Sequence, residues 1–364
     1  MTADSSPMGA RSQGGRGRRR KKGLPGPATP VPSRPAAADV EAVPGLRSGW
    51  RVIAAKEFAD HMLSARFLVL TVILGLAASA AVYSSAGALR DIADTASGAP
   101  SLFLYLFTFE AQGQLVPNFV FFIAFLAPLL GIAFGFDGIN GERAEGTLPR
   151  LVSQPIHRDD VINGKFAAGL AVIAVIFIAI TAAVAAIGVI QLGILPGPED
   201  VLRLAVWIVV AVAYVGLWMA LALLCSVVFR RAATSALVAI AVWLVFTLFA
   251  TLLVGIVGGV LAPVPADGSV ADQIASLSFQ QNLGRLSPSQ LFTEATQALL
   301  NPSIRAFDIA ALIQVQTEQR AIPSILSLDQ SLLVVWPQFV ALIALTALAF
   351  AVAYIAFMRQ EVRA

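Results

Sequence analysis

The sequence is poor in the residue types that build catalytic and metal sites. It contains one cysteine, Cys225, and two histidines, His61 and His157, among 364 residues. A single cysteine excludes an intramolecular disulfide and a thiolate metal cluster, and two isolated histidines exclude an HExxH metal site. We interpret Cys225 as a small apolar packing residue. The chain also has no GxSxG nucleophile motif, so we expect no catalysis by its own residues.

A nucleotide-binding loop is missing as well. The Gly164-Lys165 pair is followed by Phe166 and lacks the leading glycine of a Walker A loop, in which backbone N–H groups cradle the phosphates of ATP. We therefore predict that this chain does not bind ATP by that route. We also predict that it carries no cofactor or metal of its own.

Charge is scarce along most of the chain. Asp, Glu, Lys and Arg make up 13% of the residues, hydrophobic residues make up 57%, and the mean hydropathy is +0.79. A helix needs about 20 apolar residues to cross a bilayer. Six charge-free stretches approach or exceed that length, which is too many and too long for the core of a soluble protein: Phe67–Tyr83, Asn118–Phe136, Phe166–Val189, Leu204–Phe229, Thr234–Leu261 and Gln338–Met358. The predicted fold is an all-α integral membrane protein with six transmembrane helices.

The distribution of lysine and arginine predicts the orientation. With the N-terminus inside, 20 of the 25 basic residues lie in the cytoplasm, including all four lysines. The exceptions are Arg90, Arg203, Arg285, Arg305 and Arg320. The reverse orientation would invert this ratio. We therefore predict a multi-pass protein of the cell membrane with cytoplasmic N- and C-termini.

The six stretches contain no Asp, Glu, Lys, Arg or His. Ion-coupled carriers usually place such residues near mid-membrane, because they hold the coupling ion. A sodium site built from hydroxyl and carbonyl oxygens would escape this test. The pattern otherwise indicates that energy for transport comes from outside the membrane.

Two segments precede the first span. Residues 1–48 are rich in Pro, Gly, Ser and Arg and predict a disordered basic cytoplasmic tail. Its basic cluster, Arg16–Lys22, either touches anionic lipid or is simply solvated. No aromatic residue is interleaved with these charges, so we expect no nucleic-acid binding. Residues 49–66 predict an amphipathic connecting helix on the inner membrane surface, the alternative being a cytoplasmic extension of span one. Its predicted apolar face consists of Val52, Ala55, Phe58, Ala59, Met62 and Leu63.

The transmembrane domain covers residues 67–358, and residues 359–364 form the cytoplasmic C-terminus. Ser101–Glu110 predicts an interfacial or re-entrant element, or an early turn of span two. Residues 262–337 form a large extracytoplasmic loop. Within it, Ser287-Pro288-Ser289-Gln290 predicts a helix start with a capping box, and Leu291, Phe292, Ala295 and Leu299 share one face. We expect this helix to lie against the outer membrane surface or the outer mouth.

The most polar interruption is residues 137–165, between spans two and three. Nine of its 29 residues are charged. Leu148, Leu151 and Val152 predict the apolar face of a short helix that ends at Ser153-Gln154-Pro155. Asp159 and Asp160 then favour the N-terminus of the helix that becomes span three. We interpret the segment as a contact surface for a cytoplasmic partner, the alternative being an ordinary solvated loop.

The residues of this insert resemble those of type-2 ABC transporter permeases, the ABC-2 group, and within it the NosY-like permeases. The resemblance rests on Asp137-Gly138-Ile139, Gly141-Glu142-Arg143, Glu145-Gly146-Thr147-Leu148, Leu151–Pro155, Arg158 and Gly164-Lys165. The Trp50–Arg66 helix, Leu286-Ser287-Pro288 and the terminal Phe357–Arg363 add to it. The 48-residue tail departs from the pattern.

The resemblance implies an ABC-2 (type-2 exporter) permease fold that dimerises, as a homo- or heterodimer, with separate ABC ATPase subunits that bind ATP and Mg. It implies that residues 137–165 form the coupling segment. The expected ATPase contacts are Glu142, Arg143, Glu145, Gly146, Thr147, Leu148, Leu151, Pro155 and Arg158. The predicted function is the permease subunit of an ATP-driven ABC exporter, embedded in membrane lipid. The alternatives are an ATP-independent carrier or channel and a membrane assembly factor.

Overall fold

A computed structural model describes residues 49–95, 102–109, 117–146, 157–264, 269–304 and 326–360. These residues belong to one compact unit, Arg47–Ala364. Their helices are α1 (Gly49–Met62), α2 (Ala65–Thr95), α3 (Leu102–Thr108), α4 (Phe119–Gly135), α5 (Asn140–Ala144), α6 (Arg158–Leu192), α7 (Pro198–Val228), α8 (Ala232–Leu244), a π-helical turn (Val245–Phe249), α9 (Ala250–Leu261), α10 (Val270–Gly284), α11 (Pro288–Leu300) and α12 (Leu328–Met358).

Six of the described helical segments are long and apolar enough to cross a membrane, which confirms the predicted number. They are Ala65–Ala86, Phe119–Ala144, Arg158–Leu192, Pro198–Val228, Ala232–Phe249 and Leu328–Met358. Several extend beyond the charge-free stretches, because helix ends tolerate charges that the membrane interior does not. Gly197-Pro198 starts α7 in this way: Asp200 accepts a hydrogen bond from the Gly197 backbone N–H at 2.9 Å. At the start of α6, Asp160 accepts one from the His157 N–H at 3.3 Å.

We call the end of the bundle that carries α1 and α5 the proximal end, and the opposite end the distal end. The centre of the bundle is α7, which carries the largest fully buried side chains, Trp207, Trp218, Arg203 and Tyr214. Helix α4 lies directly on it through Gly131 and Gly135. A Cβ at these positions would meet the Val215 and Met219 carbonyl oxygens at 2.4 and 2.6 Å. The two glycines therefore serve close backbone packing, as is usual between membrane helices.

The distal helix α11 lies deeper than the sequence indicates. Leu291, Phe292, Ala295 and Leu299 are buried as predicted, but Glu294 and Thr296 are buried as well. Phe292 stacks on Tyr214 of α7 with ring centroids 4.4 Å apart. The helix is therefore inserted between spans and does not simply lie on a surface. Helix α3 is similar, since Phe103, Leu104, Leu106 and Phe107 are all buried.

The predicted capping box of α11 does not form. The Ser287 hydroxyl instead donates to the Phe246 carbonyl of the π-helical turn at 2.7 Å. A π turn displaces backbone carbonyls from their regular helical partners, so this carbonyl is available to a side chain from another element. Tertiary contact has replaced the local cap.

A buried arginine fixes the C-terminal end of α11 and the residues around the start of α12 to α7. Arg203 of α7, 1% exposed, donates to the Leu299 carbonyl at 3.1 Å, to Ser331 Oγ at 3.0 Å and to the Leu326 carbonyl at 2.6 Å. Its ion pair with Glu199 is 2.9 Å long. Arg203 therefore holds the end of α11 and the start of α12 together. This residue stands one position before the predicted span, at a helix end where charge is tolerated.

Candidate coupling site

The proximal end begins with α1, which is a separate helix. It ends at Met62, four residues earlier than the predicted boundary at Arg66. Ser64 then makes the corner: its hydroxyl donates to the His61 carbonyl at 2.6 Å and accepts from the Phe67 N–H at 3.2 Å. Residues 49–62 therefore form their own helix and are not a straight extension of span one.

The buried face of α1 agrees with the predicted one in part, since Phe58 and Met62 pack against the core. Ile53 is 6% exposed, whereas Val52 and Leu63, both assigned to the apolar face, are 54% and 88% exposed. The helix packs with Ile53 against Gly164 of α6, where a Cβ would lie 2.7 Å from Ile53 Cγ2 and 2.9 Å from the Trp50 carbonyl oxygen. Any side chain at position 164 would push the two helices apart. The buried side of α1 is therefore set by its packing against α6, a long-range contact that the local sequence pattern does not show.

Lys165 follows this contact and lies at the centre of an ion triad. Its Nζ is 3.0 Å from Glu57 Oε1 of α1 and 2.7 Å from Glu142 Oε1 of α5. The three side chains are only 10%, 14% and 15% exposed. Charge pairs in such shielded positions interact more strongly than surface pairs, since less water and salt screen them.

The start of the coupling segment is fixed to two further spans. Asp137 pairs with Arg66 at the start of α2, with 2.6 Å between Oδ2 and Nη1. The Ser226 hydroxyl of α7 accepts hydrogen bonds from the Ile139 and Asn140 backbone N–H groups at 2.9 and 3.1 Å. These N–H groups begin α5 and have no partner within that helix. A buried serine on span four therefore caps the coupling segment.

Arg143 extends the same anchorage to the C-terminal end of the chain. It donates to the Val227 carbonyl at 3.3 Å and to the Gln360 side chain, and Gln360 donates to the same carbonyl at 2.7 Å. Carbonyls at the C-terminal end of a helix lack intrahelical donors and carry partial negative charge. Arg143 and Gln360 supply both a donor and positive charge there.

A cavity of about 240 Å³ with both charged and apolar lining opens between these elements. Its charged lining comes from α1, the start of α2, the segment 137–145 and α6: Lys56, Glu57, Asp60, Arg66, Asp137, Glu142, Glu145 and Lys165. His61 also lines it, with its ring 5.1 Å from that of Phe134. Burial lowers the pKa of His61, a nearby Lys165 lowers it further, and Glu57 partly opposes both. Among the described residues, no group of three His, Cys, Asp or Glu side chains could hold a metal ion.

The predicted contact residues fall into three groups. Glu142 and Arg143 face inward and bind other parts of this chain. Glu145 and Gly146 are exposed, and Arg158 is half-buried at the start of α6. Thr147, Leu148, Leu151 and Pro155 lie outside the described residues.

The prediction missed four residues that hold the segment in place, namely Glu57, Arg66, Ser226 and Gln360. Glu57 and Arg66 had a signal, because they belong to a charged stretch beside a span. Ser226 had none, since a serine in an apolar helix has many structural uses.

A model of the ABC-2 family transporter protein matches residues 51–362. This range covers most of the chain and includes α1 from Arg51 onward, all six candidate spans and the coupling segment. The chain belongs to the ABC-2 transporter family. A search among curated proteins finds no match to it.

Membership of the ABC-2 family makes the chain a multi-pass membrane component of an ABC transporter, that is, a permease. The matched range also includes both ends of the site in sequence, α1 and the residues that follow α12. The resemblance seen in the segment 137–165 is confirmed at the level of the family. The NosY-like subtype stays a prediction.

Proposed function

We propose that this ABC-2 permease is the membrane subunit of an ATP-driven exporter and that separate ABC ATPase subunits dock at its proximal end. The single observation that carries the proposal is the anchorage of the coupling segment. Through Asp137, Asn140, Glu142 and Arg143 it is fixed to α2, α6, α7 and Gln360, just after α12, and through Lys165 of α6 also to α1. A push on this segment would reach several spans.

The exposed part of the segment supplies the docking surface. Glu145, at the rim of the cavity, and Gly146 are exposed, and Gly146 has a positive φ of 67°, a backbone turn that favours glycine. Arg158 lies where the chain re-enters the bundle. In the proposed complex, ATP and Mg bind to the partner and the permease supplies the path. The proximal end is then the cytoplasmic one.

The path itself is proposed to need a second permease subunit. Helices α2, α8 and α12 leave much of their apolar surface exposed, including Leu76, Leu237 and Leu333. In the membrane, such surfaces face lipid or another copy. The charge-free spans favour a hydrophobic, amphiphilic or lipid-like substrate.

Charge reversal at the docking surface tests the proposal. The full chain is purified by affinity from its own membranes, and the amount of bound ATPase is measured for Glu145→Lys and Arg158→Glu. We expect both variants to insert normally and to retain much less ATPase. Arg231→Glu is the matched control, because Arg231 is exposed at the proximal end but lies outside the segment.

Two results would contradict the proposal. One is unchanged co-purification of the ATPase in both variants. The other is solute movement down a gradient by the purified chain alone, in the absence of any ATPase, which would favour a carrier or channel.

A further inference from the structure

The triad of Glu57, Lys165 and Glu142 is not needed for docking, because its side chains face inward. It joins three elements that are distant in sequence: the connecting helix α1, the short helix α5 of the coupling segment and span three. No other described lysine or arginine forms ion pairs with both α1 and α5.

The geometry requires the lysine. Two carboxylates that share a poorly solvated site repel each other, and a cation placed between them reverses the sign of the interaction. Lys165 reaches one oxygen of each, at 3.0 and 2.7 Å. Glu57 has a second cation within reach, Lys56 at 3.5 Å, but that side chain is 68% exposed and sits on α1 itself. It cannot link α1 to α5.

The preceding glycine makes this reach possible. With no side chain at position 164, α1 approaches the backbone of α6 closely enough for Ile53 to contact Gly164. Glu57 lies one helical turn further along α1, on the same side as Ile53, and so comes to Lys165. The two residues of the Gly164-Lys165 pair thus have different roles: the glycine allows α1 and α6 to approach closely, and the lysine links them by an ion pair with Glu57.

We propose that Lys165 is a positioning residue that joins α1 to the coupling segment, so that the two move as one body when an ATPase acts on the segment. This inference rests on the proposed function for the source of the motion. The connection between α1 and α5 is a property of this chain alone and can be measured without a substrate.

Spin labels on α1 and α5 provide the measurement. The single cysteine is first removed by Cys225→Ser, and labels are attached at Ala55→Cys and Ala144→Cys, both exposed positions outside the triad. Electron–electron dipolar spectroscopy then gives the label separation in the full complex, nucleotide-free and trapped with ATP and vanadate. With Lys165 present we expect one narrow distance distribution that is the same in both states.

The variants isolate the charge. Lys165→Met should broaden or split the distribution and abolish permease-dependent stimulation of ATP hydrolysis, while the ATPase still co-purifies. Lys165→Arg should preserve both properties. Lys56→Met is the matched control and should resemble the unaltered protein. The triple exchange Glu57→Lys, Lys165→Glu, Glu142→Lys reverses all three charges and should restore the narrow distribution. That result would show that the ion pairs matter and not a lysine at position 165 as such.

A narrow distribution and full stimulation in Lys165→Met would overturn the inference, as would failure of both Lys165→Arg and the triple exchange to restore the narrow distribution. The proposed function fails separately, if no ATPase co-purifies with the unaltered chain. In that case the label separation in the chain alone, with and without Lys165, still decides whether the triad holds α1 to α5.

Discussion

At the residue scale, the proximal end depends on small and charged side chains placed where helices meet. Gly164 allows α1 to touch α6, and the Ser226 hydroxyl caps α5 from a different span. His61 also lines the cavity, and burial lowers its pKa. It lies beside Phe134 and near both Lys165 and Glu57. Its protonation therefore reports on the packing of α1.

Acidification should destabilise the folded chain through His61. Burial lowers the pKa of His61 in the folded state below its ordinary value of 6.5. The unfolded chain then binds more protons between the two pKa values, so stability is present above the unfolded pKa and is lost as the pH falls from there towards the folded pKa. We expect the thermal unfolding temperature in detergent to fall between about pH 7.5 and about pH 5.5, and to fall less in His61→Gln.

The exposed histidine supplies the control for that titration. His157 lies at the N-terminal end of α6 and is exposed, so His157→Gln should leave the pH dependence of unfolding close to that of the unaltered chain. An identical pH dependence in His61→Gln and the unaltered chain would show that another group is responsible.

At the scale of the element, irregular helices are held by contacts from elsewhere in the fold. The π-helical turn Val245–Phe249 interrupts span five, and its Phe246 carbonyl accepts the Ser287 hydroxyl from the start of α11. Arg203 holds the other end of α11 at the Leu299 carbonyl. Helix α11 is thus fixed at both ends by polar contacts to spans, and apolar packing on Tyr214 fixes its middle.

Removal of the Ser287 hydroxyl should loosen span five. In Ser287→Ala, the Phe246 carbonyl loses its main side-chain donor, and we expect a cost of about 1–2 kcal/mol in unfolding free energy. The Ser289 hydroxyl lies 3.5 Å from the same carbonyl, at the limit of a hydrogen bond, so Ser289→Ala should cost clearly less. Thermal unfolding measures the difference, and hydrogen–deuterium exchange locates it in the residues 245–261. Equal effects of the two substitutions would argue against this role for Ser287.

At the scale of the whole molecule, the described spans alternate in direction, so that α1 and the end of α12 lie at the same end. Contacts between Arg143, Val227 and Gln360 require this arrangement. The basic residues Lys56, Arg66, Arg143, Lys165, Arg230 and Arg231 all lie there. From this distribution, the positive-inside rule predicts a cytoplasmic proximal end.

Cysteine labelling in intact cells tests that orientation. In a Cys225→Ser background, single cysteines replace Ala55 at the proximal end and Leu286 at the distal end, both of which are exposed. A membrane-impermeant maleimide should label position 286 in intact cells and position 55 only after permeabilisation. The opposite pattern would reverse the predicted topology.

The sequence by itself determined the class of the protein. In lipid, long charge-free stretches form transmembrane helices, because unpaired backbone groups are too costly there. The sequence therefore predicted the six spans but not all of their ends: the fifth ends at Phe249 and not at Leu261, and the sixth begins at Leu328 and not at Gln338. The segment 137–165 was recognisable by its composition, since nine of its 29 residues are charged and it lies between two apolar spans. Helix starts with a local signal, such as Asp160 at α6, were also predictable.

Only the tertiary structure decided which side chains of those segments bind other parts of the chain and which are exposed. Glu142 and Arg143 look like surface charges in sequence but bind Lys165 and the end of α7. Val52, predicted on the apolar face, is exposed, and Ile53 is buried instead because it packs on Gly164, more than a hundred residues away. Ser287 looks like a local cap and instead binds the π turn. In each case the deciding partner is distant in sequence, and local periodicity carries no information about it.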